Sequence, residues 1–160
     1  MLLGRERRPG LPGGRLDDVD VILLRALARV RRFAVPWMLR ATLFAETLRK
    51  VVDNVDGAIA AVIMGLDGIP VETYVRQSDR VDVNTVGMEF SFIISQVRKA
   101  GDSLQVGGLE ELSVKAQRLV LVCRMISPQY FVAIAMAPEG NFGKARFLAR
   151  LAQPALVAQL

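Results

Sequence analysis

The stretch Gly57–Val75, GAIAAVIMGLDGIPVETYV, decides the fold of this chain. Its first arm, Ala58–Leu66, carries no charge, and its second arm, Ile69–Val75, is also rich in β-prone residues. The Asp67-Gly68 step between them predicts a tight hairpin, because glycine accepts the positive φ that such turns need and aspartate tolerates it. An arm that is apolar on both faces is typical of a central strand covered on both sides.

The second arm of the hairpin differs from the first because its residues alternate in polarity. One face carries Ile69, Val71, Thr73 and Val75, and the other carries Pro70, Glu72, Tyr74 and Arg76. This pattern predicts a half-exposed strand. Proline has no N–H to donate to a sheet ladder, so Pro70 favours a position at the edge of the sheet.

Composition limits the classes of function that the chain can have. It has 160 residues, of which 52% are apolar, and this predicts one domain, residues 38–160, with an N-terminal extension, residues 1–37. There is no histidine, which removes the commonest general base and metal ligand. The single cysteine, Cys123, excludes an intrachain disulfide, and its apolar surroundings predict a small buried side chain.

The positive charge of the chain is confined to its N-terminal quarter. Residues 1–40 hold nine arginines and four acidic residues, a difference of +5 that equals the whole net charge. The remaining 12 basic and 12 acidic residues balance, so the folded part has no excess charge to attract nucleic acid.

The extension has three interpretations. Residues 1–15 are rich in Gly, Pro and Arg and predict disorder, whereas residues 17–33 predict a helix that ends before Pro36. This helix is either a basic amphipathic segment for an acidic membrane surface or partner, or a solvated helix, or part of a translated upstream region if Met38 is the true start. We favour the second or third interpretation. The apolar run is too short to span a bilayer and no secretory signal is evident, so we expect a cytoplasmic protein.

The rest of the chain predicts three helices and three further strands. The helices are residues 38–55, 82–100 and 142–152, with Gly101 ending the second and Pro154 kinking or ending the third; the strands are residues 109–117, 119–126 and 130–137. The last two strands are apolar enough to be inner strands. The predicted order is therefore α-β-β-α-β-β-β-α, an α+β layered fold with a five-stranded antiparallel sheet.

The second helix carries an apolar spot on the side away from the sheet. At about 100° per residue, one sector holds the residues expected to face the sheet, Val83, Val86, Phe90, Ile93, Ile94 and Val97. Met88 and Phe92 fall on the opposite side, one turn apart, where they predict an exposed surface for pairing with another subunit. Two scattered surface hydrophobes are the alternative.

The strand at residues 109–117 is the natural companion of this spot. Its alternation points Leu112, Val114 and Ala116 inward and Glu111, Ser113, Lys115 and Gln117 outward. One wet face predicts an edge strand, and edge strands are usually blunted or paired. Two-fold pairing of such an edge would extend the sheet and bury the neighbouring helices.

No catalytic, cofactor or metal site is predicted. Glu110 and Glu111 are adjacent on a strand, which points their side chains to opposite faces and prevents them from acting as a pair. The segment from Gly140 to Ala145 resembles a phosphate-binding loop, but its spacing is short and it lacks the Ser or Thr after Lys144. The interpretation from the residues alone is a non-catalytic binding module.

Several motifs taken together resemble the Roadblock family, which includes the dynein light chain Roadblock and the bacterial gliding-motility regulator MglB. These motifs are Val55–Tyr74 after the first helix, Glu89-Phe90 in the second, GGLEELSVKAQRLVLVCRM at 107–125 and YFVAIAMAPEGNFGKARFLAR at 130–150. The resemblance covers residues 39–152 and leaves the N-terminal extension outside it.

The resemblance implies a profilin-like α/β/α fold and a homodimer in which third strands pair and second helices lie side by side. The residues that would form this interface are Thr85, Met88, Glu89, Phe92, Ser95, Gln96, Lys99, Leu109, Glu111, Ser113 and Lys115. The family also implies work with small Ras-like GTPases, as an activator that supplies no arginine finger or as a scaffold. The alternatives are a structural adaptor that tethers a motor, polarity or membrane complex, and a small-molecule sensor.

Overall fold

The computed structural model describes residues 37–76 and 81–160. Its elements, in chain order, are α1 (Trp37–Asp53), β1 (Ala58–Gly65), β2 (Pro70–Val75), α2 (Val83–Leu104), β3 (Glu111–Lys115), β4 (Val120–Met125), β5 (Tyr130–Met136) and α3 (Phe142–Val157). This order confirms the predicted one. The predictions for residues 1–36, including the helix at 17–33, lie outside the described residues.

The five strands form one antiparallel sheet in the order β2-β1-β5-β4-β3. The predicted inner positions of β1, β4 and β5 are confirmed, as are the edge positions of β2 and β3. The register between β1 and β2 shifts between Ile63 and Met64, opposite the start of β2 at Pro70. A bulge at this point accommodates the proline, which cannot donate to the ladder.

Helices cover both faces of the sheet, which confirms the α/β/α architecture. All eight residues of β1 are buried, and from Ala60 to Met64 they alternate between two apolar cores. Ala61 and Ile63 point to the core shared with α1 and α3, whereas Ala60, Val62 and Met64 point to the core shared with α2. A strand covered on both sides has to be apolar at every position, and this explains the uncharged run in the sequence.

Cys123 lies in the core on the α2 side of the sheet. Burial raises the pKa of its thiol to about 12, so the thiol stays protonated throughout the physiological range. This environment confirms the prediction of a small buried side chain.

The second strand turns the less apolar of its two faces toward α1, where Tyr74 is half-buried. The Tyr74 hydroxyl donates to Asp53 Oδ1 at 3.0 Å, and Arg76 donates to the Val52 carbonyl at 3.1 Å, both on α1. Val71 and Val75, on the other face, are each 41% exposed. Aromatic and arginine stems supply apolar area as well as polar ends, and this allows the apparently polar face to pack against a helix.

The end of α2 lies beyond the predicted one. The helix continues through Gly101 to Leu104, and Gln105 adopts the left-handed conformation at φ 55°. The N–H of Gln105 bonds the carbonyls of Asp102 and Gly101, which closes the helix in the way expected of a left-handed C-terminal residue. The prediction that Gly101 ends the helix is therefore wrong, because Gln105 takes the left-handed conformation that was expected of the glycine.

The end of α3 also lies beyond the predicted one. The helix passes through Pro154 and reaches Val157. Proline removes one backbone hydrogen bond, but Ala155 and Leu156 directly after it are fully buried. Their packing offsets the lost bond, and the helix continues.

Two turns cross closely at Gly57 and Gly140. Gly57, at φ 80°, lies so near that a Cβ built on it would be 2.5 Å from Gly140 Cα. The Gly57 carbonyl accepts from Ala137 N at 2.8 Å, and the Asp56 carbonyl accepts from Asn141 N at 2.8 Å. Asn141 then caps α3 by accepting from Lys144 N. The start of β1 and the start of α3 are thus held together through backbone atoms.

We expect Gly57→Ala to lower the free energy of unfolding by about 2–4 kcal/mol, from the combined strain of a left-handed non-glycine residue and the clash with the Gly140 backbone. Urea denaturation measures this change. The matched control is Gly143→Ala, where the nearest atom to a new Cβ is Asn141 Oδ1 at 3.8 Å and the backbone is helical. Equal stabilities of the two variants would contradict a tight crossing.

Candidate partner-binding surface

The N-terminus of α2 is fixed by the Asp82 carboxylate. Its Oδ1 accepts from Asn84 N at 3.0 Å and Thr85 N at 3.4 Å, and its Oδ2 accepts from the Thr85 hydroxyl at 2.7 Å. The hydrogen bonds from the Thr85 side chain and then from its backbone lower the pKa of Asp82. Thr85 therefore belongs to the helix cap, and its hydroxyl is already used within the chain.

Small residues bring α2 close to the sheet. The buried positions of the helix are Val83, Gly87, Ser91 and Ile94. A Cβ on Gly87 would lie 2.9 Å from Met64 Cε, so the lack of a side chain at Gly87 lets the helix approach β1 closely. Ile93 was predicted to face the sheet, and this prediction is wrong because the side chain is 40% exposed. The helix is rotated so that Gly87 and Ser91 lie against the sheet instead.

The outer side of α2 carries the predicted apolar spot. Met88 is 52% exposed and Phe92 is 66% exposed, one helical turn apart, and Ile93 extends the spot. Met88 lies beside the hairpin turn, since a Cβ on Gly68 would be 3.3 Å from Met88 Cγ. Within the described residues, no other element covers Met88, Phe92 and Ile93. These three side chains therefore form an exposed apolar area on the single chain.

The other predicted residues of α2 surround this spot. Glu89, Gln96 and Lys99 lie at its border, where Glu89 and Lys99 are charged, and Ser95 is half-buried. The Ser95 hydroxyl donates to the Ser91 carbonyl at 2.9 Å, one turn earlier in the helix. The helix thus presents an apolar centre with polar and charged neighbours, which is the usual composition of a protein interface.

The third strand lies at the edge of the sheet but is shorter than predicted. It ends at Lys115, and Gln117 lies outside it. Ser113 and Lys115 are exposed, as predicted, and Leu109 packs half-buried against the core on the α2 side. Val114 and Ala116, predicted to point inward, are exposed, because α2 packs mainly on β1 and β2 and leaves this end of the sheet uncovered.

Glu111 points into the chain rather than outward. Its side chain is 15% exposed, and its carboxylate forms ion pairs with Arg124 Nη1 at 3.5 Å and with Arg146 Nε. Glu110 also reaches Arg124, at 3.9 Å, so the two glutamates share one arginine. The prediction that they diverge is wrong because Glu110 precedes the first residue of the strand, where alternation does not hold. Arg124 lies opposite Glu111 in the register of β3 with β4. An arginine within an otherwise apolar strand was the sequence signal that could have indicated an acidic partner on the same face.

The two halves of the predicted surface are connected by the C-terminal end of α2. Arg98 donates to the Pro128 carbonyl, in the β4–β5 turn, at 2.6 Å. At the last residue of α2 and just beyond it, Leu104 and Val106 are 71% and 74% exposed. These two apolar residues were not among the predicted ones, because the sequence placed the helix end before them.

Two further findings limit the chemistry of the site. Within residues 37–76 and 81–160, no group of three Cys, Asp or Glu side chains is placed to hold a metal ion. Over the same residues, no helix has both the length and the apolar character needed to cross a membrane.

Comparison with known proteins identifies related structures. MglC from Myxococcus xanthus is 37% identical, the match covers 74% of this chain and 99% of that one, and the TM-score is 0.55. A Roadblock/LC7 domain from Streptomyces avermitilis (15% identity, 70% and 92% coverage, TM-score 0.63) and the gliding protein MglB from Thermus thermophilus (14%, 82% and 95%, 0.67) share the fold. No model of a protein family and no curated protein matches the chain.

We expect Glu111→Ala to lower the free energy of unfolding by roughly 1–3 kcal/mol, because it leaves the Arg124 guanidinium without its best carboxylate partner. The Arg124 side chain is only 12% exposed, so water replaces the lost partner poorly. The control is Glu110→Ala, which removes the same group from a side chain that is 82% exposed. Chemical denaturation distinguishes the two; equal effects would contradict the assignment of Glu111 to the inside of the chain.

Proposed function

The chain belongs to the Roadblock/LC7 family, and from this premise we propose that it is a non-catalytic, dimeric regulator or scaffold of a small Ras-like GTPase. Domains of this family are regulatory or adaptor modules. Two observations carry the proposal: Met88 and Phe92 are more than half exposed on the outer side of α2, and β3 is an unpaired edge of the sheet.

Dimerisation follows from these two features together. A second copy related by a two-fold axis would pair β3 with β3 and continue the sheet, which satisfies the unpaired backbone groups of the edge. The same operation would bring two α2 helices together and remove Met88 and Phe92 from water. Ser113 and Lys115 would then lie at the strand junction, and Glu89, Ser95, Gln96 and Lys99 would form the polar border of the helix pair.

The GTPase assignment rests on the resemblance to the family. An activating partner of this kind works by reordering the GTPase's own catalytic groups, so its surface needs shape and apolar contact rather than a nucleophile or base. Pairing buries Met88 and Phe92, and the outer surface that the two α2 helices then form together would supply that type of contact area. We propose that the GTPase docks across this helix pair.

A structural adaptor is the second candidate function, since an exposed apolar spot and an unpaired strand edge suit protein binding whether or not a nucleotide is turned over. An adaptor of this kind would dimerise in the same way and bind partner proteins with no effect on nucleotide turnover.

We expect Phe92→Arg and Met88→Glu each to convert the dimer to a folded monomer. Pairing would bury an unpartnered charge, at a cost of several kcal/mol. Sedimentation equilibrium measures the mass, and circular dichroism verifies the fold. The control is Val157→Arg on α3, where the side chain is 47% exposed and lies outside the proposed interface. An unchanged dimer in the α2 variants would contradict the proposed pairing.

The GTPase proposal is tested by adding the full chain to Ras-like GTPases encoded in the same genome. We expect either faster GTP hydrolysis or selective binding of the GTP-loaded form, measured by phosphate release and fluorescence anisotropy. Phe92→Arg should abolish the effect, and Val157→Arg should retain it. If no GTPase responds while the chain remains a dimer, the adaptor function stands and the regulator function is wrong.

A further inference from the structure

A cleft lies on the face of the sheet opposite α2, between the start of β3 and the exposed side of α3. It encloses about 330 Å³ and is lined by three arginines, two glutamates and a phenylalanine: Arg124, Arg146, Arg150, Glu110, Glu111 and Phe147. Neither the pairing of α2 helices nor the GTPase proposal uses this cleft. A site in this cleft goes beyond the proposed function, because all its lining residues come from one chain and it requires neither a dimer nor a GTPase.

Arg124 supplies a partly satisfied cation in this cleft. Its Nε donates to Gln153 Oε1 at 2.9 Å, and Nη1 lies 3.5 Å from Glu111. The remaining partner, Glu110, is 3.9 Å from Nη2 and 82% exposed, so this ion pair is long and well hydrated. Such a pair contributes little, and another carboxylate can replace Glu110 at small cost.

Arg150 and Phe147 form the outer wall. The Arg150 guanidinium lies over the Phe147 ring, 5.8 Å from its centroid, and Phe147 is 45% exposed. Among the described residues, no carboxylate lies within ion-pair distance of Arg150. A cation held flat on an aromatic ring keeps its N–H groups at the edge free to bind an anion.

The charge of α3 favours an acidic occupant. The helix contains Lys144, Arg146 and Arg150 and has no Asp or Glu over Phe142–Val157. Phe142 repeats the pattern of Phe147, with the Arg146 guanidinium 5.5 Å from its ring centroid. The exposed side of α3 therefore alternates cations with aromatic rings, which suits a segment that alternates carboxylates with apolar side chains.

We propose that this cleft binds an acidic, partly apolar segment of a partner protein. One carboxylate of the segment pairs with Arg150, a second displaces Glu110 from Arg124, and an apolar side chain packs on Phe147. Arginine is well suited to this role because its planar fork binds a carboxylate through two N–H groups.

The shape of the cleft favours a peptide over an anionic membrane. Arg124, whose side chain is only 12% exposed, lies inside the cleft, where a projecting carboxylate can reach it more readily than a flat layer of lipid phosphates. A concave site also accepts a projecting side chain more closely than a plane. If two copies pair through β3, two clefts lie on the same face of the joined sheet, and a partner with two acidic segments could bind both.

The proposal is tested with a fluorescein-labelled peptide in which glutamate alternates with leucine, titrated with the full chain and followed by anisotropy. We expect Arg150→Ala and Phe147→Ala each to weaken binding by about fivefold to tenfold, through the loss of a charge-assisted contact at Arg150 and of apolar burial at Phe147. Arg49→Ala, on α1, removes the same charge from a side chain that is 64% exposed and should change binding less than about twofold. Residues 1–40 carry the net charge of +5 and attract any acidic peptide. The readout is therefore the difference in affinity between each variant and the unsubstituted chain.

A second pair of variants tests whether a peptide carboxylate displaces Glu110 from Arg124 or is only attracted by the positive charge of the chain. Glu110→Ala should tighten binding several-fold, whereas Asp102→Ala, which removes one acidic group from α2 on the other face of the sheet, should have no effect. The proposal is overturned if Arg150→Ala and Arg49→Ala weaken binding equally or if Glu110→Ala and Asp102→Ala act alike. It is also overturned if a lysine–leucine peptide binds as well, or if Arg150 matters only for binding to phosphatidylserine vesicles. None of the cleft variants changes the apolar spot of α2. A failure of peptide binding can therefore be distinguished from a failure of GTPase binding.

Discussion

The close approach of Gly57 and Gly140 places α1 and α3 on the same face of the sheet. The turn that joins α1 to β1 and the turn that joins β5 to α3 meet there, and two hydrogen bonds between backbone atoms connect them. Since β1 and β5 are neighbouring strands, this contact fixes where α1 and α3 leave the sheet. The core between these helices and the sheet is assembled around that point. Side chains at either glycine would separate the turns, so the arrangement depends on two residues without a Cβ.

The sequence predicts this framework well because the signals that carry it are local. A run of apolar residues on both faces identifies β1 as an inner strand, and the Asp67-Gly68 step identifies the hairpin. The predicted starts of the second and third helices, at residues 82 and 142, lie within one residue of the observed starts, because a cap such as Asp82 or Asn141 is a contact between residues two or three positions apart. Such patterns need no knowledge of the distant parts of the chain.

The features that the sequence does not predict depend on distant contacts. The continuation of α3 through Pro154 depends on the burial of Ala155 and Leu156 against other elements. The rotation of α2, which exposes Ile93 and buries Ser91, depends on how closely Gly87 approaches Met64. The inward direction of Glu111 depends on two arginines, one on the neighbouring strand and one on a helix 35 residues later. Alternation along a strand says which residues share a face, and it does not say what the chain places opposite that face.

The two edges of the sheet differ in their ability to pair with another strand. At β2, Pro70 lacks a donor, and the register shift beside it twists the edge away from a regular ladder. Both features are ways in which proteins prevent edge-to-edge association. The edge at β3 has neither: its five residues contain no proline, and its register with β4 is regular throughout. The ion pairs of Glu111 with Arg124 and Arg146 also hold this short strand against β4 and α3 in the single chain. An edge that is already held in place would lose little conformational entropy on pairing, so of the two edges β3 is the better suited to the proposed self-association.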